Sequence, residues 1–282
     1  MNLSRGLVGV AGTILTAAVL SGCGGSDDSG SSSRSDCTPS HPDVPTLATG
    51  DLTVLVYVTP PYTTQEGNGF GGVDATIVKR LAELECLDLK TQSVAAAAGL
   101  ASIQAERADI AIGGIYYTEE RTETLSLSDP MYRDGMALVS TGAVDGTLAG
   151  LEGKTIGVVQ GYLWNEDFQA ALGADNVKLY QDTAGLITDV KNGRLDAAVL
   201  TSAEVGFRAK EDSKLTATSF QPTPEIAAST SENGVVLALP KSATALTQAL
   251  NEDIAVLIGD GTVAAALEAQ GMDPALAGPA TP

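Results

Sequence analysis

Arg121 stands in the stretch GGIYYTEERTETLSLSDPMY, residues 113–132, between a strand-like run and an acidic helical turn. A planar guanidinium can grip a carboxylate through two parallel hydrogen bonds. On a short helix it can equally be a solvated side chain, or an exposed ion pair with Glu119 or Glu123 contributing about 0 to 1 kcal/mol. Other reactive chemistry is sparse. The sole histidine, His41, lies in the amino-terminal segment, and no Cys/His or metal-ligand cluster is legible, so neither a metal site nor a cofactor is expected. Asp109 and Asp196 are carboxylates near strands that invite a catalytic reading, but no general acid or base can be assigned beside them.

The elements that must position Arg121 alternate between strand and helix. LTVLVYV (52–58) reads as a buried strand, and VDATIVKRLAELEC (73–86) carries Val73, Ile77, Leu81 and Leu84 at helical spacing. GLASIQAER and ADIAIGGI repeat the helix and strand, and MALVS (136–140) begins a change of domain. LEGKTIGVVQG, NEDFQAALG, NVKLY, AGLITDVKNGR and LDAAVLT continue the alternation. GVVLALPK then reads as a strand, followed by two amphipathic helices broken at Gly-Asp-Gly. This is the pattern of an α/β protein with largely parallel sheets. It divides into two lobes, with residues 45–138 and 236–282 in the first and 139–235 in the second. Two crossing strands make a hinge, and the cleft between the lobes is the default site.

The ends of the chain say where it works. Arg5 followed by the apolar run Leu7–Val19, about 13 residues against the ~18 to 20 needed to span a bilayer, reads as an export signal over residues 1–22. Leu-Ser-Gly-Cys at 20–23 resembles a bacterial lipobox, which implies cleavage before Cys23 and lipid attachment to it; an ordinary secretory signal with a chance cysteine is the alternative. Residues 23–44 are expected to be a flexible tether, since GGSDDSGSSSRS (24–35) has no apolar side chain to drive ordering. Loss of Arg5 with the signal takes the net charge from −19 to −20. Such acidity, with no basic stripe, excludes nucleic acid as a partner and favours solubility. Cys37 and Cys86 can pair in an exported chain, closing a loop of about 50 residues worth about 4 kcal/mol; two unrelated thiols are the alternative.

The order of motifs resembles the bacterial extracellular solute-binding proteins that serve amino-acid-type ABC importers, family 3. GVDATIVKRLAEL is similar to that family's entry into the first helix, with Val73 for an aromatic and Thr76 for a second acid. The run from Gly99 to Tyr132 resembles its most specific stretch, with an Asp-x-Ala-x-x-Gly strand followed by Thr-x-Glu-Arg. LEGKTIGVVQG, NGRLDAAVL and GVVLALPKS match the opening and late strands of the second lobe and the return strand. The resemblance implies a two-lobed periplasmic-binding-protein type II fold. Each lobe is then a mixed, mostly parallel sheet flanked by helices, and a two-strand hinge joins them.

The resemblance also implies a ligand site. Arg121 matches the arginine that binds the ligand's carboxylate, and Gly114 the position whose carbonyl faces the ligand ammonium. Tyr116 stands in place of a threonine, Tyr62 in TPPYTT matches an aromatic platform, and Ala96 replaces a phenylalanine whose space Tyr116 or Tyr117 could fill, unless the site simply repacks. In the second lobe QGYLWNED places Gly161, Tyr162 and Trp164 at the cleft, although Trp164 could merely pack the lobe. Thr201 or Ser202 stands where an aspartate normally neutralises the ammonium. A buried ammonium without a carboxylate is costly, so either Glu204 reaches the cleft or the ligand lacks an ordinary ammonium. Asp109 and Asp196 match positions that tie the backbone locally.

The expected protein is therefore a monomer, lipid-anchored at Cys23 on the outer face of the membrane. It would capture a small carboxylate-bearing ligand and deliver it to an ABC permease. A dehydratase-like enzyme on the same scaffold and a ligand-sensing module for a membrane receptor are the rival functions, and the ligand itself stays open.

Overall fold

The computed structural model describes residues 37–230 and 232–279. The export signal, the lipidation site Cys23 and the segment 24–35 lie outside the described residues.

In chain order the elements are β1 (Asp51–Val56), the hairpin β2 (Thr64–Glu66) and β3 (Gly69–Gly71), α1 (Val73–Leu84), β4 (Asp88–Ser93), α2 (Ala96–Gln104), β5 (Ile110–Ile112), α3 (Glu119–Thr124), β6 (Leu125–Leu127) and β7 (Tyr132–Asp134). The second half of the cycle is β8 (Met136–Ser140), β9 (Ile156–Val159), α4 (Asn165–Leu172), β10 (Val177–Tyr180), α5 (Thr183–Lys191), β11 (Ala197–Thr201), α6 (Ser202–Glu211) and β12 (Thr216–Ser219). The chain returns through β13 (Asn233–Val235) and β14 (Ala238–Pro240) and ends with α7 (Thr244–Gly259) and α8 (Thr262–Ala269).

Two five-stranded sheets result, ordered β4-β1-β5-β14-β6 and β10-β9-β11-β8-β12. In each, four strands point one way and one is reversed: β14 in the first sheet and β8 in the second. The reversed strands are the ones that the crossings deliver. β7 leads out of the first sheet into β8, β13 leads back into β14, and the two crossing strands pair antiparallel, Tyr132 opposite Val235 and Asp134 opposite Asn233. The connection is a two-strand hinge.

The sequence folds this way because its central strands are apolar on both faces, as a sheet covered by helices requires, while the edge strands β4 and β12 are polar and mostly exposed. On β1, Leu52, Val54 and Val56 join the core shared with Val73, Ile77 and Leu81 of α1, while Leu55 and the following Tyr57 turn to the other face with Ile103 of α2. In the second sheet, Ile156 and Val158 meet Phe168 and Leu172 of α4, and Val159 meets Leu186 and Val190 of α5. Residues 37–44 were expected to belong to the flexible tether. Instead they are held down, because Cys37 is bonded to Cys86 and the Ser40 amide donates to the Leu84 carbonyl at 2.9 Å.

Candidate functional site

The cleft is built where strands end. β5 runs into Gly113 and Gly114, whose φ values of 131° and 74° lie in the region that favours glycine. A Cβ on Gly114 would sit 2.5 Å from the Tyr62 ring, so this close approach admits no side chain. The turn is fixed from below by Asp74, in the first turn of α1. Its buried carboxylate accepts from the Gly113 and Gly114 amides at 2.9 Å each and from the Tyr132 hydroxyl. Burial pushes the Asp74 carboxyl up, and these donors pull it partly back.

Thr118 caps α3, its hydroxyl accepting from the Arg121 amide at 3.1 Å. The cap turns Arg121 inward. Its Nη1 donates to the Tyr116 carbonyl at 2.6 Å, and its Nη2 donates across the cleft to the Gly161 carbonyl at 3.1 Å. Burial pulls the guanidinium down from its usual range. No carboxylate among the described residues forms an ion pair with it.

From the second sheet, β9 ends in the loop Gly161–Trp164 and β11 ends at Thr201. Thr201 caps α6 in a reciprocal box, its hydroxyl accepting from the Glu204 amide while the Glu204 carboxylate accepts from Thr201. Tyr162 packs edge-on to Trp164 with ring centroids 5.2 Å apart, and Trp164 faces Tyr116 at 6.2 Å.

These parts line a small cavity of about 40 Å³. Of the residues named from sequence, Arg121, Gly114, Tyr116, Gly161, Tyr162, Trp164 and Thr201 line it, with Ala96 at its edge. Three do not. Tyr62 is buried beneath Gly114 and is no open platform; its hydroxyl donates to Asp134 and reaches the Thr201 hydroxyl at 2.6 Å, tying the lobes together. Tyr117 is 43% exposed and borders a separate surface groove with Lys241. Ser202, one residue past the strand end, faces a groove beside Asp134 on the hinge side.

Tyr57, with Leu100, Gly113, Ile115 and Leu163, lines the cavity without having been singled out from the sequence. Its ring lies over Gly99 of α2, where an added Cβ would come within 2.1 Å of it, and beside the small Ala96. The space at Ala96 is thus bordered by Tyr57, on the other strand end, rather than by Tyr117. The signal was available: Tyr57 directly follows a buried strand, at the carboxyl edge where α/β proteins place ligands. Its hydroxyl and the Trp164 Nε1 are both buried without a hydrogen-bond partner. Burial pushes the Tyr57 phenol well up, with Arg121 acting the other way.

Among the described residues, Arg121 is the only charged side chain on the cavity wall. Glu204 does not reach it. Its carboxylate is buried behind Tyr162 and accepts from the hydroxyls of Tyr162 (2.9 Å), Thr183 (3.1 Å) and Thr201 (3.2 Å). Burial raises the Glu204 carboxyl against the pull of these donors. Asp109 accepts from the Leu47 and Thr53 amides at 2.7 Å, and Asp196 from the Thr155 amide at 2.7 Å, so both tie backbone away from the cleft.

The family model for bacterial extracellular solute-binding proteins, family 3, matches residues 52–269. Among curated relatives, the L-cystine-binding protein TcyJ of Escherichia coli K12 is 29% identical over 217 residues, covering 74% of this chain and 77% of its own. The lysine/arginine/ornithine-binding periplasmic protein of the same strain is 29% identical over 172 residues, covering 57% and 64%. The solved structure of the substrate-binding protein AbpA from Streptococcus pneumoniae, bound to L-arginine, superposes with a TM-score of 0.72 over 78% of this chain and 94% of that one, at 22% identity, which shows a shared fold. Two hinged α/β lobes around a small-molecule cleft, matched by the family model over most of the folded chain, show that the protein belongs to the bacterial extracellular solute-binding proteins, family 3, a family of binding proteins rather than enzymes.

Proposed function

We propose that the protein is lipid-anchored at Cys23 outside the cytoplasmic membrane, closes its lobes around a small carboxylate-bearing ligand, and delivers that ligand to an ABC permease. The division into lobes at 45–138 with 236–282, and 139–235, belongs to the same reading. Delivery to a permease rests on family membership and on relatives described as ABC transporter substrate-binding proteins. The observation that carries the ligand class is Arg121, an inward cation at the seam with no carboxylate paired to it. A charge-assisted bond there is worth about 1.5 to 3 kcal/mol net.

The relatives' names speak of cystine and of basic amino acids, but among the described residues this cavity has no acidic side chain on its wall to receive a primary ammonium. Leaving an ammonium buried and unpaired is costly. The favoured ligand is therefore an amino-acid-like carboxylate whose nitrogen is acylated, alkylated or absent, seated against Tyr57, Tyr116, Tyr162 and Trp164. A thermal-shift screen over amino acids, betaines, opines and aromatic acids tests this. A ligand at 100 times its Kd stabilises by about 2.7 kcal/mol. Arg121→Ala should abolish the shift, and a full shift in that variant would count against the site.

A further inference from the structure

Far from the cleft, the fold brings together three groups separated by up to 212 positions. No metal site was expected from the sequence, where His41, Glu85 and Asp253 share no motif spacing. In the structure one ligand atom from each lies within 4.8 Å of the others. His41 Nδ1 is 2.6 Å from Glu85 Oε1 and 4.0 Å from Asp253 Oδ1.

Each group is held on a rigid support. Glu85 ends α1, with its side chain fully buried. Asp253 lies on α7 among Leu246, Ala249, Leu250, Ile254 and Leu257, on the buried stripe where an apolar residue would be expected. His41 is placed by the Cys37–Cys86 disulfide and by the Ser40 amide on the Leu84 carbonyl.

Two further observations point to a cation. Asp253 is 2% exposed, and its Oδ2 meets no hydrogen-bond donor. The far nitrogen of the imidazole, Nε2, is 3.0 Å from Glu252 Oε2. A carboxylate on the outer nitrogen is the arrangement that fixes the tautomer of a metal-binding histidine and leaves the inner nitrogen's lone pair facing the ion. One divalent ion at this point would answer the imidazole lone pair and both carboxylates at once.

We propose that His41 Nδ1, Glu85 and Asp253 form a binding site for one divalent transition cation of the zinc type, with Glu252 orienting the imidazole. One nitrogen and two oxygens suit zinc, at bond lengths of about 2.0 to 2.2 Å. His41 is 26% exposed, which leaves a fourth position open to water. Beside the disulfide, the ion is a second staple that fastens the amino-terminal segment onto α1 and α7.

The test is a calorimetric titration of the chelator-treated full-length chain with zinc chloride, in excess magnesium to mask weak surface carboxylates, with bound metal counted by mass spectrometry. One equivalent should bind and raise the Tm. His41→Ala should weaken binding at least 100-fold, Asp253→Asn likewise, and Glu252→Gln about 10- to 100-fold. X-ray absorption should report one nitrogen among light-atom ligands. His41 is part-exposed on the amino-terminal segment, so His41→Ala should fold, with an unchanged far-UV circular dichroism spectrum. Less than a tenth of an equivalent bound, or undiminished zinc binding in His41→Ala, overturns the proposal.

Discussion

At the residue scale, the cleft concentrates donors and withholds acids. Arg121 spends two of its N–H groups on backbone carbonyls from opposite lobes, while the Tyr57 hydroxyl and the Trp164 indole N–H are buried without partners. An unpartnered buried hydroxyl does little for the unliganded fold and becomes useful when an acceptor arrives. Tyr57→Phe should therefore leave unliganded stability unchanged or raised, and weaken ligand binding by about 1 kcal/mol, roughly fivefold in Kd. Urea denaturation and calorimetry on the same variant separate the two effects. Asp134, at the hinge, gives a pH signature. Burial pushes its carboxyl from 3.8 up to about 6, against the pull of Tyr62, Gly135 and Ala203 as donors. Between those values the folded protein keeps a proton that the unfolded chain has released, so stability falls as pH rises and then levels off above about 6. Asp134→Asn removes that titration. Its stability relative to the parent should rise by about 3 kcal/mol between pH 3.5 and pH 7, and a flat difference would contradict the burial of an acid there.

At the scale of elements, helix starts carry the site. α3 is capped by Thr118, which turns Arg121 inward; α6 is capped by Thr201, whose hydroxyl also lies 2.6 Å from the Tyr62 hydroxyl of the other lobe. Thr201→Ala removes the cap acceptor, worth about 1 kcal/mol, and deprives buried Glu204 and Tyr62 of a partner each. A loss of about 2 to 3 kcal/mol in urea denaturation is expected, with Thr201→Ser restoring most of it. α2 contributes by smallness: Ala96 and Gly99 leave the space that the Tyr57 ring occupies.

At the scale of the molecule, two crossing strands allow the lobes to move while the disulfide anchors the amino-terminal segment to one of them. Arg121 to Gly161 and Tyr62 to Thr201 are polar contacts that join the two walls of the cleft. A ligand favours closure only through contacts made from both walls at once. The Cys37–Cys86 bond closes a loop with a sequence separation of 49. Replacing both cysteines by serine should lower stability by about 4 kcal/mol in the chain-entropy model, read from denaturant unfolding without reductant.

The sequence by itself determined the alternation of strand and helix, the class of fold and the two crossings, while an inward Arg121 was implied only by the resemblance to the family. Strand and helix periodicity are local, and the Gly-Gly and Thr-x-x-Arg spacings sit within a few residues of one another. Only the tertiary structure decided which aromatic faces the cavity. Tyr62 and Tyr57 are five residues apart, yet one is buried beneath Gly114 and the other is on the wall, because each ring goes where a glycine on another element leaves room. The same holds for Glu204, drawn behind Tyr162 by its own helix cap, and for His41, Glu85 and Asp253, which meet only when α1, α7 and the disulfide-held segment pack together. Burial and pairing depend on contacts between distant parts of the chain, and local spacing carries no record of them.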